Sequence, residues 1–405
     1  MTSKRKVLVL CALCFVVIPC IGFPQGQDAG LTDRGVRIGI LCNLSGPASS
    51  CGRGLVEGLQ TSLKHVKSAG GIHGRRVELV PHDAGAAPET AVAAVHHMLA
   101  EEEAFAMVFH SDMGTTQAIL DRGIEDEPIP VLVGGCHPRS MDSAFRNNVF
   151  FFGMSYDDQV ALLLEYVLKT NPGLAPEMAL LIEDSLLGEA VREGFRRVCT
   201  HYGLHTVSEE VYSAGTQALG FYVRQLSFCG ARYVVLGGTT WDATEIIQEA
   251  TSIGWRPRFL GLSATVEPDM WNQAGEGAEN YLAVDYLARP WERGPGVSLM
   301  IGLTQKSYPG KDVQVLHRCH VLGYVSGLLV AEALRTAGRE LTRESFVHAF
   351  ERIQDFNTHG LTGLLGFATD SRLSHSAGRV LRFDRTWQRF QPLTDWSHPM
   401  MKPSE

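Results

Sequence analysis

The sequence contains none of the short motifs that mark the common hydrolytic and nucleotide-binding sites. It has no G-x-S-x-G of serine hydrolases, no H-E-x-x-H of zinc proteases and no G-x-x-x-x-G-K-[ST] phosphate loop. No G-x-G-x-x-G follows the first predicted strand, which argues against a dinucleotide enzyme. We therefore predict that the protein is not an enzyme, with no catalytic residues and no cofactor.

Basic tracts are missing as well. The chain carries 36 Lys and Arg against 44 Asp and Glu, a formal net charge of −8. An acidic chain without a Lys/Arg cluster lacks the electrostatic signature of a nucleic-acid-binding protein, so we expect no nucleic-acid partner. Apolar residues make up 45% of the sequence and charged residues 20%, which is typical of a globular protein. A length of 405 residues suits two lobes of ordinary size.

Long hydrophobic runs are absent beyond the N-terminus. Lys4, Arg5 and Lys6 precede an apolar run over residues 7–23, which is the pattern of a secretory signal peptide. We predict a signal peptide over residues 1–26 and export to the periplasm or the exterior. An uncleaved membrane anchor is the alternative, although the run is short for a membrane span.

Cysteine is present but scattered. Of the nine cysteines, three lie in the predicted signal peptide. The other six are Cys42, Cys51, Cys136, Cys199, Cys229 and Cys319. An even number in an oxidising compartment allows pairing, but the sequence leaves the connectivity open. Their wide spacing does not resemble a disulfide scaffold.

The most informative segment is residues 36–75, which read as strand, loop and helix. Residues 36–41 form a short apolar run typical of a buried strand, and Gly46-Pro47 marks a turn. Apolar residues then recur at helical spacing, at Leu55, Leu59, Leu63 and Val66. This arrangement directs a helix N-terminus, with its unpaired N–H groups, toward whatever lies above the strand.

Strand-like and helix-like stretches alternate along the rest of the chain. We predict strands at 77–80, 106–109, 129–133, 178–182, 207–212, 233–236, 259–260, 281–284 and 379–383. We predict helices at 88–99, 114–123, 188–202, 218–226, 244–252, 321–337 and 343–352. Repeated strand–helix units imply parallel sheets covered by helices on both faces, and two such sets imply two doubly wound lobes.

The order of these motifs resembles a known family. Leu44-Ser45-Gly46-Pro47 with Gly52, followed by the segment 69–75 (AGGIHGR), is similar to the N-terminus of the branched-chain amino-acid binding proteins, the type I periplasmic receptors of ABC transporters. The similarity continues over nearly the whole chain after the signal peptide. It implies an α/β fold of two Rossmann-like, doubly wound lobes joined by three crossovers, which close on a small molecule. By this resemblance, lobe one holds residues 36–153 plus 287–361 and lobe two holds 154–286 plus 362–398.

The resemblance also implies which residues line the cleft. In this family, small hydroxyl side chains and backbone N–H groups of lobe one hold the ligand carboxylate, and an acidic residue of lobe two holds the ammonium. The corresponding ligand-binding positions here are Cys51, Met113, Gly114, Gly135, Cys136, His137, Leu187, Thr239, Ser263 and Cys319.

These positions depart from the pattern of the amino-acid binders in three ways. Ser263 stands where the family places the carboxylate that pairs with the ammonium, and a buried ammonium without a counter-ion is costly. Asp242 or Glu183-Asp184 are possible substitutes. Small residues stand at positions that are aromatic in the amino-acid binders, for which Trp241 could partly compensate. His137 stands where those proteins have a hydroxyl side chain. We expect the ligand to be a small amino acid or a related carboxylate or amide.

The cleft cysteines allow three interpretations. We expect Cys51, Cys136 and Cys319 to be unpaired small side chains that fill a narrow cleft. A Cys42–Cys51 disulfide across the opening loop is the first alternative. A zinc or copper(I) site with the nearby histidines is the second, but this set has no C-x-x-C or H-x-x-x-H spacing, so we predict no metal.

The resemblance implies a solute-binding protein of a branched-chain-amino-acid-type ABC transporter. Its partners are then a small-molecule ligand and a membrane permease, and we expect a monomer. The alternative is the ligand-sensing subunit of a signalling system, which uses the same fold. In both cases ligand binding stabilises the closed state of the two lobes, and a membrane partner recognises that state.

Overall fold

A computed structural model describes residues 28–401, except 69, 126, 139–140, 142–146, 174–175, 268–270, 272, 368–370 and 375–376. The predicted signal peptide, residues 1–26, lies outside the described residues. Within the described part of the chain, no helix has the length and apolar character needed to cross a membrane.

The first part of the chain forms a five-stranded sheet of order β2-β1-β3-β4-β5, in which every neighbouring pair is parallel. Its elements are β1 (Gly35–Cys42), α1 (Ser49–Ser68), β2 (Arg76–Asp83), α2 (Pro88–Ala100), β3 (Ala106–His110), α3 (Met113–Ala118), β4 (Val131–Gly134) and β5 (Val149–Phe152). A π-helical turn over Ile119–Gly123 extends α3. Strand β1 is buried along most of its length, as expected for a parallel strand covered on both faces.

The second part forms a seven-stranded sheet of order β12-β11-β10-β9-β8-β6-β7. Its strands β6 to β10 pair in parallel, and β11 and β12 add an antiparallel edge. The elements up to β10 are α4 (Tyr156–Thr170), β6 (Glu177–Glu183), α5 (Leu186–Tyr202), β7 (His205–Tyr212), α6 (Leu219–Phe228), β8 (Tyr233–Gly237), α7 (Thr240–Ser252), β9 (Arg258–Gly261) and β10 (Tyr281–Asp285).

Three helices then return to the first sheet before the chain finishes the second. They are α8 (Pro295–Ser307), α9 (Arg318–Ala337) and α10 (Arg343–Glu351), and they precede β11 (Arg379–Asp384) and β12 (Arg389–Pro392). Helix α9 packs along α1. The approach is so close that a Cβ at Gly323 would lie 2.0 Å from the carbonyl oxygen of Leu55, so only glycine fits there.

The chain therefore passes between the two sheets three times, after β5, after β10 and after α10. This confirms the predicted fold class of two Rossmann-like lobes joined by three crossovers. One buried apolar cluster runs from the first sheet through α4 and β10 into the second. The predicted residue bounds of the two lobes stay a prediction.

The predicted strands and helices all have counterparts in the structure, but four elements were not predicted. These are β5, α4, α8 and β12. Helix α4 shows the reason, because ten of its fifteen residues are buried and they run around most of the helix. Such a helix has no single apolar face, and its sequence therefore lacks the periodic pattern that predicts an amphipathic helix.

Candidate functional site

Loops that follow strands of both sheets meet between the two lobes. Cys136 follows β4 and Ser263 follows β9, and Cys136 Sγ lies 2.9 Å from Ser263 Oγ. Helix α3, on the first sheet, also contacts helix α5, on the second. In doubly wound folds, ligands bind beyond the carboxyl ends of the parallel strands. The candidate site is therefore this cleft, where the resemblance also places it.

A disulfide joins two helices at this cleft. Cys51 in the first turn of α1 is bonded to Cys319 in the first turn of α9, with their Cα atoms 5.1 Å apart. The prediction that Cys51 and Cys319 are unpaired is wrong, and so is the alternative Cys42–Cys51 pairing. Cys42 is a free, buried thiol that donates to the carbonyl oxygen of Gly52 at 3.5 Å. Packing of α1 against α9 brings together the two helix starts, which lie 268 positions apart.

The disulfide also bears on the metal alternative. The Cys51 and Cys319 sulfurs and the His317 imidazole lie within 4.8 Å of one another. Zinc and copper(I) bind thiolates, and sulfurs that are bonded to each other do not supply them. His317 has other partners, since its Nδ1 accepts from the Cys319 N–H at 3.1 Å and its Nε2 lies 3.3 Å from Glu267. The arrangement is that of a capped and cross-linked helix start.

His110 lies beside the disulfide. Its Nδ1 donates to the carbonyl oxygen of Gly134 at 2.5 Å, and its Nε2 lies 3.9 Å from Cys319 Sγ. Burial lowers the pKa of His110, partly opposed by the Gly134 hydrogen bond, so the ring is neutral with an acceptor nitrogen at Nε2. Gly135 allows this contact, because it has φ +141° and an added Cβ would lie 3.1 Å from His110 Nδ1.

Gln159 of α4 connects the two sides of the cleft. Its amide nitrogen donates to Cys136 Sγ at 3.1 Å and to the carbonyl oxygen of Met154 at 2.9 Å. Its amide oxygen accepts from the backbone N–H of Ser263 at 2.9 Å. Burial raises the pKa of the Cys136 thiol, which therefore stays protonated at neutral pH. The bridge is neutral and fully hydrogen-bonded at Gln159.

A buried ionic cluster lies where β10 leaves the second sheet. Asp285 is fully buried and accepts from Arg318 Nε at 3.1 Å, from Arg318 Nη2 at 2.7 Å and from Arg289 Nη2. Burial alone would raise the pKa of Asp285, but the charges of Arg318 and Arg289 lower it below its ordinary value. Because Arg318 belongs to α9, the cluster ties the first lobe to the end of β10.

The predicted residues Met113, Gly114 and His137 all lie on the first lobe. Met113 and Gly114 begin α3, whose start is capped by Asp112 accepting from the Thr115 N–H at 2.9 Å. His137 has only 2% of its surface exposed, and its ring packs edge-on against Phe151 with centroids 5.2 Å apart. The roles of these three residues in ligand binding stay predictions.

The predicted residues Leu187 and Thr239 lie on the second lobe, at two helix starts. Leu187 is half-buried in the first turn of α5 and packs against the shared apolar cluster. Thr239 is exposed and caps α7, because its hydroxyl accepts from the Asp242 N–H at 3.2 Å. The Asp242 carboxylate in turn accepts from the N–H and the hydroxyl of Thr239. The Asp242 carboxylate is therefore engaged in the helix cap, which makes it less suitable as the counter-ion of a ligand ammonium.

Four residues of this region were not predicted as site residues, namely His110, Gln159, Asp285 and Arg318. Asp285 carried a usable signal, because a charged residue directly follows the apolar strand 281–284. Arg318 is adjacent to the predicted Cys319, but its partner is 33 positions away and only the fold shows the pairing.

Comparisons with known proteins agree with this architecture. Residues 35–385 match the model of the periplasmic binding protein family. An amino acid binding protein from Pseudomonas aeruginosa is 22% identical over 240 residues, which is 59% of this chain and 63% of the relative. The chain thus spans less than two thirds of that relative.

Solved structures show the same fold. A branched-chain amino acid ABC transporter protein from Thermus thermophilus with bound valine superimposes with a TM-score of 0.77 at 20% identity, covering 90% of this chain and 97% of the other. A fatty acid ABC transporter substrate-binding protein from Thermomonospora curvata gives 0.79 at 18% identity, covering 93% and 95%.

The family consists of substrate-binding proteins rather than enzymes, which confirms the prediction that this chain is not an enzyme. The family match extends over most of the chain, and the two sheets with their three crossovers reproduce the family fold. The chain therefore belongs to the periplasmic binding protein family, in its type I, Leu/Ile/Val-binding-protein-like branch.

Proposed function

We propose that this protein is an extracytoplasmic solute-binding protein of a branched-chain-amino-acid-type ABC transporter. It binds a small amino acid or a related carboxylate or amide by closure of its two lobes. The observation that carries the proposal is the contact across the cleft, where Cys136 of the first lobe bonds to Ser263 and to Gln159 of the second. Residues of both lobes in hydrogen-bond contact are what a ligand-gated closure requires.

The charges of the cleft favour ligands without an ammonium group. Ser263 offers a hydroxyl where the amino-acid binders place a carboxylate, and Asp242 is occupied by its helix cap. Burial raises the pKa of Glu183, which reduces its value as a counter-ion. The relatives of this fold include a valine-bound protein and a fatty acid binder, so both kinds of carboxylate are compatible with the architecture.

We also propose a membrane permease of the ABC transporter as the partner and a monomer as the working state. Export by the N-terminal segment is part of the same proposal. The permease then recognises the closed arrangement of the lobes, because a ligand shifts the population toward the state that it binds better.

A thermal-shift screen with matched variants tests the proposal. Leucine, 4-methylpentanoate and 4-methylpentanamide are added at about 0.1–1 mM, roughly 100-fold over a Kd of about 1–10 µM, and a ligand at 100 Kd stabilises by about 2.7 kcal/mol. Leu187→Trp, which fills the cleft beside α5, is expected to abolish the shift. Leu299→Trp, on the exposed face of α8, is the control and should keep it.

The screen has two outcomes that contradict the proposal. One is that no solute of these classes raises the melting temperature. The other is that a solute binds the Leu187→Trp variant as tightly as the wild type, which would place its site outside the cleft.

A further inference from the structure

Two sulfurs and two imidazole rings meet at the first turns of α1 and α9. The Cys51 sulfur, the Cys319 sulfur and one ring nitrogen of His317 lie within 4.8 Å of one another. His110, at the end of β3, adds a fourth donor, because its Nε2 lies 3.9 Å from Cys319 Sγ. Two cysteines with two histidines are a common ligand set of structural zinc sites.

The spacing of these donors is close to that of a zinc site. Zn–S bonds of about 2.3 Å and Zn–N bonds of about 2.0–2.1 Å, at tetrahedral angles, place neighbouring donor atoms roughly 3.3–3.8 Å apart. The distance of 3.9 Å between His110 Nε2 and Cys319 Sγ is near this range. The bond between Cys51 and Cys319 is what prevents coordination, because it takes up both sulfurs. Breaking it leaves two thiols beside the rings.

Both rings are held by a hydrogen-bond partner at one nitrogen. His110 Nδ1 donates to the carbonyl oxygen of Gly134, so its Nε2 carries the lone pair. His317 Nδ1 accepts from the Cys319 N–H at 3.1 Å, and its Nε2 lies 3.3 Å from the Glu267 carboxylate, which places the proton on Nε2. Histidines that bind metals ordinarily donate their other N–H to a carbonyl or a carboxylate. Each ring thus keeps its unprotonated nitrogen next to Cys319.

The disulfide is accessible from one side only. Cys51 and His317 are partly exposed, whereas Cys319 is only 3% exposed. Thiol–disulfide exchange depends on which sulfur a thiolate can reach. Attack from solvent therefore falls on the Cys51 sulfur, with Cys319 as the leaving group.

We infer that reduction of the Cys51–Cys319 disulfide converts this end of the cleft into a zinc site, with Cys51, Cys319, His110 and His317 as ligands. The oxidised protein joins α1 and α9 by a covalent bond, and the reduced protein joins them through the metal. His317 exchanges its hydrogen bond from the Cys319 N–H for the bond to zinc. The inference goes beyond the proposed function and does not depend on it.

The conversion takes a dithiol as the reductant. One thiolate of the dithiol attacks the Cys51 sulfur, the bond between the two protein sulfurs breaks, and Cys319 leaves as a thiolate. The second thiol of the reductant then displaces Cys51, so the new S–S bond lies in the reductant and two electrons have passed to the protein. Zinc binds both thiolates, whose protons stay with the solvent, and the metal keeps its oxidation state.

Zinc titration of the two redox states tests the inference. The whole protein is reduced with dithiothreitol, freed of excess reductant in the absence of oxygen, and titrated with Zn²⁺ in competition with a chromophoric chelator. We expect the reduced protein to bind one zinc ion at least about 100-fold more tightly than the oxidised protein, because only thiolates bind the metal. Replacing zinc by Co²⁺ should give the visible absorption of a tetrahedral site with thiolate ligands.

Histidine variants separate this site from other thiols of the chain. His110→Ala and His317→Ala should each weaken zinc binding by about 10–100-fold. His205→Ala, at an exposed position at the start of β7, is the matched control and should leave the zinc affinity unchanged. Cys229→Ser, which removes an exposed free thiol, should leave it unchanged as well. Because His317 also caps α9, His110→Ala carries the test if His317→Ala does not fold.

Four results would overturn the inference. The first is equal zinc affinity of the oxidised and the reduced protein, and the second is a reduced protein that unfolds and stays unfolded when zinc is added. The third is unchanged zinc affinity in the folded histidine variants, which would place the metal elsewhere. The fourth is a cobalt spectrum without a thiolate band. Solute binding by the oxidised protein is a separate measurement, so the inference can fail while the proposed function stands.

Discussion

The two walls of the cleft differ in what holds them in place. The first wall consists of the starts of α1, α3 and α9, where Cys51 is bonded to Cys319 and the adjacent Arg318 is bonded to Asp285. The second wall consists of the starts of α5 and α7, where Ser185 and Thr239 cap their own helices. The first wall is fixed by long-range covalent and ionic bonds, whereas the second is held by hydrogen bonds, most of them within the helix caps and one from the Thr240 hydroxyl to the carbonyl oxygen of Ala264.

This difference separates residues that serve stability from residues that are free to serve recognition. The first wall loses little conformational entropy when a ligand binds, because its helix starts are already bonded to one another. The second wall keeps exposed side chains, with Trp241 59% and Leu186 52% exposed. We therefore expect substitutions in the first wall to change the free energy of unfolding far more than those in the second.

The largest effect is expected for Asp285→Asn. Removing the charge leaves Arg289 and Arg318 buried without their counter-ion, and such a loss costs about 3–5 kcal/mol. Urea unfolding of the variant measures the difference. Asp33→Asn, at an exposed position, is the control and should change stability by less than about 0.5 kcal/mol.

The same variant predicts a change in acid stability. The pKa of Asp285 is lower in the folded protein than the value of about 3.9 expected when unfolded. Its stabilisation is therefore complete above the unfolded pKa and is lost as the pH falls through the folded one. Stability of the wild type should decline below about pH 4, and Asp285→Asn should lack this part of the decline. If the free energy of unfolding fell equally with pH in both proteins, other carboxyl groups would be the cause of the decline.

The next largest effect is expected when the disulfide is removed. The double variant Cys51→Ser with Cys319→Ser should lose about 2–4 kcal/mol relative to the oxidised protein, because the bond restricts the unfolded chain. Cys229→Ser removes an exposed free thiol and should have little effect. If reduction left the unfolding midpoint of the wild type unchanged, the disulfide would contribute nothing to the stability of the first wall.

The smallest effect is expected in the second wall. Thr239→Ala removes the cap of α7 and should cost about 1 kcal/mol, since the hydroxyl loses its hydrogen bonds from the Asp242 N–H and to the Asp242 carboxylate. Thr200→Ala, at an exposed position near the end of α5, is the control and should be neutral or slightly stabilising. A loss for Thr239→Ala as large as that for the disulfide would remove the distinction between the walls.

The same contrast explains how much the sequence predicted. Regular elements such as β1 and α5 follow from local apolar patterns, and α7 begins with a capping box that can be read from the sequence. The disulfide and the Asp285–Arg318 pair could not be predicted, because their partners meet only after α9 has packed against α1. Local signals describe the second wall better than the first.

The position of the disulfide also has a consequence for how the chain matures. Synthesis proceeds from the N-terminus at about 5–20 residues per second, so Cys319 emerges roughly 13–54 s after Cys51, given their separation of 268 positions. During that interval Cys51 has no correct partner, while Cys136, Cys199 and Cys229 emerge one after another. The first lobe thus begins the chain but receives its covalent bond late, and an oxidant that acts before Cys319 appears can trap Cys51 with the wrong sulfur.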